Sequence, residues 1–360
     1  MKMEVLSIGQ ICSRFSSGKN ITAANIHEFG LYPVYGGNGL RGFTNSYNYD
    51  GECAIIGRQG AYCGNVKYVS GKSYMSEHAI VAVTNPNHNN RYFAYKLSLA
   101  KLGRFSGQAA QPGLSVTKLL RLKFEMPSRQ YQDRVASILS TYDSLIENNT
   151  KRIRLLEKMA ENLYKEWFVR FRFPGHENVK MVNGLPNGWK KGALSDVCEF
   201  KRGKNITSSE MKDGTIPVIS AGITPSGFHS HANVYGISVT MSSSGANAGY
   251  IAVHYSDIWA ADCSYIEEAS TPYIYYVYEL LNNIRSIINN FQRGAAQPHV
   301  YPKDINRIKM IIPSEDIRKK ANEKIGVIHR HIDNLQRQNS LLARQRDLLL
   351  PRLMSGKLEV

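Results

Sequence analysis

The sequence predicts an α+β chain: a tandem repeat of two mixed α/β domains separated by two long helices that form an antiparallel coiled coil. Three observations carry this. Blocks of sequence recur in one order, half a chain apart. Short apolar runs broken by Gly, Asn, Ser and Pro fill most of each half. Each half also holds a long stretch nearly free of turn residues, with apolar side chains at heptad spacing.

The repeat is traced from its N-terminal side. GKNIT occurs at 18–22 and again at 203–207. YPVYGGNG at 32–39 matches IPVISAGI at 216–223, and IIGRQGAYCGNVKYV at 55–69 answers to VTMSSSGANAGYIAV at 239–253. SEHAIVA then corresponds to ADCSYIE, and a Tyr-rich segment follows in each half, YFAYKLSL and YIYYVYELL. The tetrapeptide AAQP appears at 109–112 and 295–298, and FEMPS at 124–128 answers to MIIPS at 310–314. Seven blocks keep one order at almost one offset, so the chain is a tandem duplication.

The elements follow in order. Residues 1–126 make the first domain, in which ECAIIGRQG, GNVKYVS and AIVAVT read as strands, with Val, Ile and Tyr between turn residues. Residues 127–170 make the first helix. Its seam carries Val135, Ile138, Tyr142, Leu145, Asn149, Leu156 and Leu163; Arg152 occupies one seam position, with Ile153 beside it. Residues 171–192, rich in Gly, Pro and Asn, read as a linker. Residues 193–312 make the second domain, with ISVTMSSSG and GYIAVHY as strands. The Tyr-rich segments and SIINNFQ read as helical. Residues 313–360 make the second helix and a C-terminal tail. Its seam carries Ile325, Ile328, Ile332, Leu335, Leu342, Leu349 and Leu353, with Asn339 and Arg346 filling the gaps. A polar Asn therefore falls on each seam, and Asn149 and Asn339 are expected to fix register rather than add stability. Pro127 to Asp143 is 16 residues and Pro313 to Asp333 is 20, a difference close to one helical turn that preserves the phase of the apolar face.

The formal net charge is +16 and the pI about 9.5, an excess of Lys and Arg that favours a polyanionic partner, either nucleic acid or an anionic membrane. No run of eighteen apolar residues appears, so nothing is expected to span a membrane, and MKMEVLSIGQ lacks the apolar core of a signal peptide. Five cysteines, odd in number and without a C-x-x-C pair, argue against a disulfide framework or a zinc site and point to the cytoplasm. GKS at 71–73 has Val66 where a P-loop needs Gly. The [DNS]-P-P-[YF], H-E-x-x-H, G-x-S-x-G and P-D…E-x-K patterns are missing. No catalytic residue, metal site or cofactor is expected in this chain.

Candidate nucleic-acid contacts lie in loops. Lys19, Asn20, Lys204 and Asn205 occupy the shared GKN turn, suited to phosphate or simply solvated. Arg58 and Gln59 lie in GRQGAYCG, between two strands, where flanking glycines permit close backbone approach. The matching SSSGANAG presents Ser243, Ser244 and Asn247. The loops are aligned but chemically different, as readers of two different half-sites should be. Gln108, Gln111 and Gln297 belong to the AAQP stretches. Gln makes bidentate contacts to adenine, but a motif shared by two domains equally suits loop shaping or phosphate. Arg41, Arg104 and Arg293 are weaker candidates. His78, Tyr62 and His229 are more simply structural.

The chain resembles the specificity subunit of type I restriction–modification systems. The resemblance covers essentially the whole sequence. It rests on the duplicated layout, on LPNGWKKGALSDVCEFKRGKNI opening the second half, and on GQAAQP and RGAAQP. AENLYKEWF in the first helix and LLLPRLMSGKLEV at the end complete it. The first half lacks an L-P-x-G-W opening, which leaves open how the first domain is capped. The resemblance implies that each domain is a target recognition domain and that the helices are spacers that also hold two methylation subunits. It implies that double-stranded DNA with a bipartite, asymmetric target is the ligand, and that S-adenosylmethionine belongs to the methylation subunits. Restriction subunits are a further, open partner. Two other readings stay open: a free-standing bipartite DNA-binding regulator, and a nuclease with an unrecognised active site.

Overall fold

ECAIIG is apolar on both sides of the pleat, and it becomes an inner strand. In the computed structural model, which describes residues 3–107, 113–293, 298–358 and 360, Glu52–Gly57 lies between Ala79–Thr84 and Val66–Ser70. Cys12–Ser17 completes a four-stranded antiparallel sheet. Ala54 and Ile56 face the helix Asn90–Leu99, packing with its Tyr92, Phe93 and Leu97. Cys53 and Ile55 face the other way, toward Met75 of a three-stranded sheet formed by Gly39–Thr44, Tyr32–Gly36 and Tyr74–Met75. A strand covered on both faces needs a continuous apolar run rather than strict alternation. Glu4–Ser7 pairs with Lys123–Met126 and so ties the two ends of the domain together.

The second repeat builds the same set in the same order. Lys201–Arg202, Cys263–Glu267, Ser238–Ser242 and Ile251–His254 form its four-stranded sheet; Gly227–His229, Ile216–Ile219 and Trp259–Ala260 form its three-stranded one. Lys190–Ala193 closes on Lys309–Ile312. The Tyr-rich helix Ile274–Asn283 buries Tyr276, Val277 and Leu280 with Val239, Met241 and Ile266. SIINNFQ contributes the short helix Arg285–Asn289.

The two long helices run Arg129–Tyr164, continued by a π-type turn through Lys165–Val169, and Glu315–Met354. By contacts the chain divides into residues 1–148 with 339–360, and residues 149–338, so the division falls inside both helices. Within the first unit, Tyr131 Oη donates to the Leu353 carbonyl at 2.9 Å and Arg346 Nη1 to Asp143 Oδ1 at 2.7 Å. Within the second, Asn149 Nδ2 lies 3.4 Å from Gln338 Oε1, and Glu157 lies in the field of His329. Low residue numbers meet high ones in each unit, so the helix segments are antiparallel in both. Asn149 is buried and Asn339 partly so.

The first seam is corrected by one residue at three positions, 138, 145 and 152. Ile138 is 36% exposed and Leu145 45%, whereas Leu139 is fully buried and Ile146 partly buried. The stripe runs Val135, Leu139, Tyr142, Ile146, Asn149, Ile153, Leu156, Ala160, Leu163, an unbroken alternation of four- and three-residue steps. Adjacent Ile138–Leu139 and Leu145–Ile146 offer apolar residues in either phase. Ile153 in place of Arg152 and the small Ala160 decide between them. The second seam is buried or half-buried throughout, as expected.

Residues 171–192 are anchored rather than loose. Trp189 stacks on Phe173 at 5.4 Å between centroids and lies 6.0 Å from Phe168; all three are buried. The Trp of LPNGW therefore seats the end of the first helix in the second unit. In the first unit, Leu350, Leu353 and Met354 from the end of the second helix pack with Val135, Ala136 and Leu139. Among the described residues no helix is long and apolar enough to cross a membrane.

Candidate nucleic-acid interface

The GKN turn has the same seat in both units because its glycine leaves no room for a Cβ. Gly18 N donates to the Ala79 carbonyl and Lys19 N to that of Met75; Gly203 N donates to Cys263 and Lys204 N to Ala260. A Cβ on Gly18 would lie 2.2 Å from the Met75 oxygen, and one on Gly203 2.3 Å from that of Ala261. The turn is thereby pressed against the neighbouring chain, and Lys19, Asn20, Lys204 and Asn205 are left exposed at its crest.

The loops after the two central strands share a second arrangement. Leu114 N donates to the Arg58 carbonyl at 2.9 Å, Gln59 bridges to Gly113, and Gly107 N reaches the Gly113 carbonyl at 3.3 Å. In the second unit Val300 N donates to the Ser243 carbonyl at 3.0 Å, and Ser244 bridges to His299. Arg293 and His299 exchange both backbone bonds. The described residues that flank each AAQP stretch are thus rooted beside the loop of their own domain. Gln108, Gln111 and Gln297 themselves lie outside the described residues.

Side chains gather around the first root. Arg58 Nη1 donates to Ser17 Oγ at 3.2 Å, two residues before Lys19. Gln59 Oε1 lies 3.2 Å from His78 Nδ1, and His78 Nε2 lies 2.9 Å from Glu77. The hairpin carrying Arg41 leans in: a Cβ on Gly37 would sit 3.3 Å from the Gln59 carbonyl, and one on Gly36 2.4 Å from Arg41 Cδ. Arg104 is exposed, its guanidinium 4.8 Å from the Phe105 ring centre, on a turn whose Gly103 abuts Gly64 of the GRQG loop. Lys19, Arg41, Arg58 and Gln59 therefore form one group, with Arg104 on the flank of the same loop.

In the second unit two candidates are buried. Ser243 is 1% exposed, with its hydroxyl 3.3 Å from Ser264 Oγ. Ser244 is buried and donates to Asp262 Oδ2 at 2.6 Å. Both hydroxyls are turned to protein partners rather than to solvent. Asn247 is half-buried in the turn Gly245–Asn247, and Arg293 pairs with Asp304 at 3.0 Å. Beside the Ser244–Asp262 pair stands Arg202, which the sequence reading did not single out and which meets Asp262 Oδ1 at 2.5 Å through Nη2. Its signal was present: the second copy reads KRGKN where the first reads SSGKN. His229 is structural, accepting from Lys212 N at 2.9 Å and packing edge-on against Trp259. Tyr62 is exposed.

Burial pushes the Cys12, Cys198 and Cys263 thiols up to about 12 and Cys53 to about 11. These thiols stay protonated, and none is poised as a nucleophile. Among the described residues no group of three His, Cys, Asp or Glu is placed to hold a metal ion.

A family model described as type I restriction modification DNA specificity domain matches residues 1–158 and again 186–344. The chain belongs to that family. The double match coincides with the repeat that builds the two interfaces. Among relatives, the Escherichia coli type I restriction enzyme EcoprrI specificity subunit is 38% identical over 160 residues, 43% of this chain and 40% of that protein. The Methanocaldococcus jannaschii MjaIX specificity subunit is 27% identical over 300 residues, 75% of this chain and 68% of that protein. The first alignment thus spans well under half of its relative's length. The crystal structure of a type I restriction–modification S subunit from M. genitalium shares the fold with a TM-score of 0.68 at 19% identity, covering 98% of this chain and 96% of that one.

Proposed function

We propose that this chain is the DNA sequence-specificity subunit of a type I restriction–modification complex. It reads a bipartite, asymmetric target in double-stranded DNA, one half-site per domain, and scaffolds the methylation and restriction subunits while performing no chemistry itself. The observation that carries this reading is the repeated root. Two domains with one backbone arrangement present different side chains at it, Arg58, Gln59 and His78 in one, Arg202 and Asp262 in the other. Constant backbone with variable side chains is what two readers of different sequences require. Exposed Lys19 and Lys204 supply phosphate contacts that orient each domain but carry no sequence information. The duplication also offers two equivalent docking surfaces, which supports two methylation subunits, each with its own S-adenosylmethionine. The test is to exchange residues 1–126 for those of a relative with another target and to sequence the methylated positions in host DNA. One half of the motif should change. Change in both halves, or methyl transfer by the purified chain alone, would refute the reading.

A further inference from the structure

Strand registers align the two units residue by residue around the root. Gly57 pairs with Ala79 and Ser242 with Cys263, so Arg58 and Ser243, one step on, stand opposite His78 and Asp262. Ser17 pairs with Ile80 and Arg202 with Ser264, which makes Ser17 and Arg202 equivalent. The two positions thus hold Ser17 and Arg58 in one unit, Arg202 and Ser243 in the other. Arginine and serine have changed places, and each unit keeps one guanidinium at the site.

We propose that Arg202 is the base-reading residue of the second unit, taking a guanine in its half-site from the place that Arg58 serves in the first. This rests on the specificity-subunit reading above. Asp262 holds one guanidinium edge through Nη2, and Ser244 holds the other carboxylate oxygen, so the carboxylate is fixed from behind. Among the described residues Asp262 is the acceptor that Arg202 meets, through one Nη2 hydrogen, so the second Nη2 hydrogen and the neighbouring nitrogen on that side still make a two-donor edge for an outside ligand. A planar fork held by one edge and open at the other matches guanine O6 and N7. A stabilising role is a poor account of the pair, because the Arg202 side chain is 46% exposed and such ion pairs contribute little. The position also sits where the loop is rooted, since Ser244 bridges His299.

The experiment replaces the chromosomal copy with Arg202→Lys or Arg202→Ala and sequences methylated positions genome-wide, with complex abundance measured alongside. Lysine keeps the charge and the partner Asp262 but not the fork. In both variants, preference for G·C over other pairs at one position of the second unit's half-site should fall by about 5- to 150-fold. The other half-site should be unchanged. A motif intact at every position, with only less methylation overall, would make Arg202 a phosphate contact and overturn the proposal, as would relaxation in both half-sites. The wild-type chain separates the two levels: methylation without sequence preference in its presence would overturn the specificity reading itself.

Discussion

Gly203 shows how little freedom the GKN turn has at the level of single residues. Its missing Cβ is the condition for Lys204 N to reach the Ala260 carbonyl. Gly203→Ala should therefore cost about 3 kcal/mol in urea unfolding, as overpacking against a main chain does, whereas Asn205→Ala on the same turn should cost less than about 0.5 kcal/mol. GKN was legible as a shared motif, but the reason for its glycine was not, because it lies in a strand about sixty residues away along the chain. The burial of Ser243 and Ser244 was hidden for a related reason: a Ser-rich loop looks polar whether its hydroxyls face solvent or one another. His254 makes a second residue-level case. Burial pulls it down to about 4, and its Nε2 lies 2.8 Å from Thr240 Oγ1. The unfolded chain takes up this proton near pH 6.5, before the folded one does. The stabilisation is thus complete above about pH 6.5 and is lost as pH falls toward 4. Because the ring is half-buried, the loss should be about 2 kcal/mol. His254→Gln should flatten the pH dependence of urea unfolding between pH 7 and pH 5, and an unchanged slope would assign it elsewhere.

At the scale of elements, periodicity was enough to find both long helices but not the phase of the first. Apolar residues at 138–139 and 145–146 satisfy a heptad in two ways, and only the partners across the interface choose. Leu139→Ala should destabilise the chain by about 2–5 kcal/mol, while Ile138→Ala should cost less than about 1 kcal/mol; thermal unfolding of the two variants distinguishes the phases. Equal losses would restore the sequence-based seam. Strands were easier to read, since Glu52–Gly57 and Ser238–Ser242 fall where apolar runs end in glycine or serine. Residues 171–192 were read by composition as a linker. Phe173 and Trp189 overrule that, because two aromatics bury enough surface to fix a segment otherwise rich in turn residues.

For the molecule as a whole, the charge of +16 belongs with a polyanion. If about six phosphates are neutralised, the affinity of the assembled complex for DNA should fall with salt at a log–log slope of about −5, measured by titration between 50 and 200 mM salt. A slope near zero would remove the phosphate role from Lys19 and Lys204. The repeat was legible at this scale because seven blocks agreed; the exchange of Arg and Ser between strands was not, because an alignment compares each position with its counterpart and never with the position across the sheet. One feature of the division into units governs how the protein is made. Residues 149–338 are continuous, so the second unit has all its parts once the ribosome has passed Gln338. The first unit draws Leu350, Leu353 and Met354 into its core, so the part translated first is completed last. At about 5–20 residues per second its domain waits roughly 10–40 s for those side chains. A chain stopped at Gln338 should keep a protease-resistant second unit and lose the first, and until translation reaches Met354 the nascent protein exposes Val135 and Leu139 to whatever chaperone attends it.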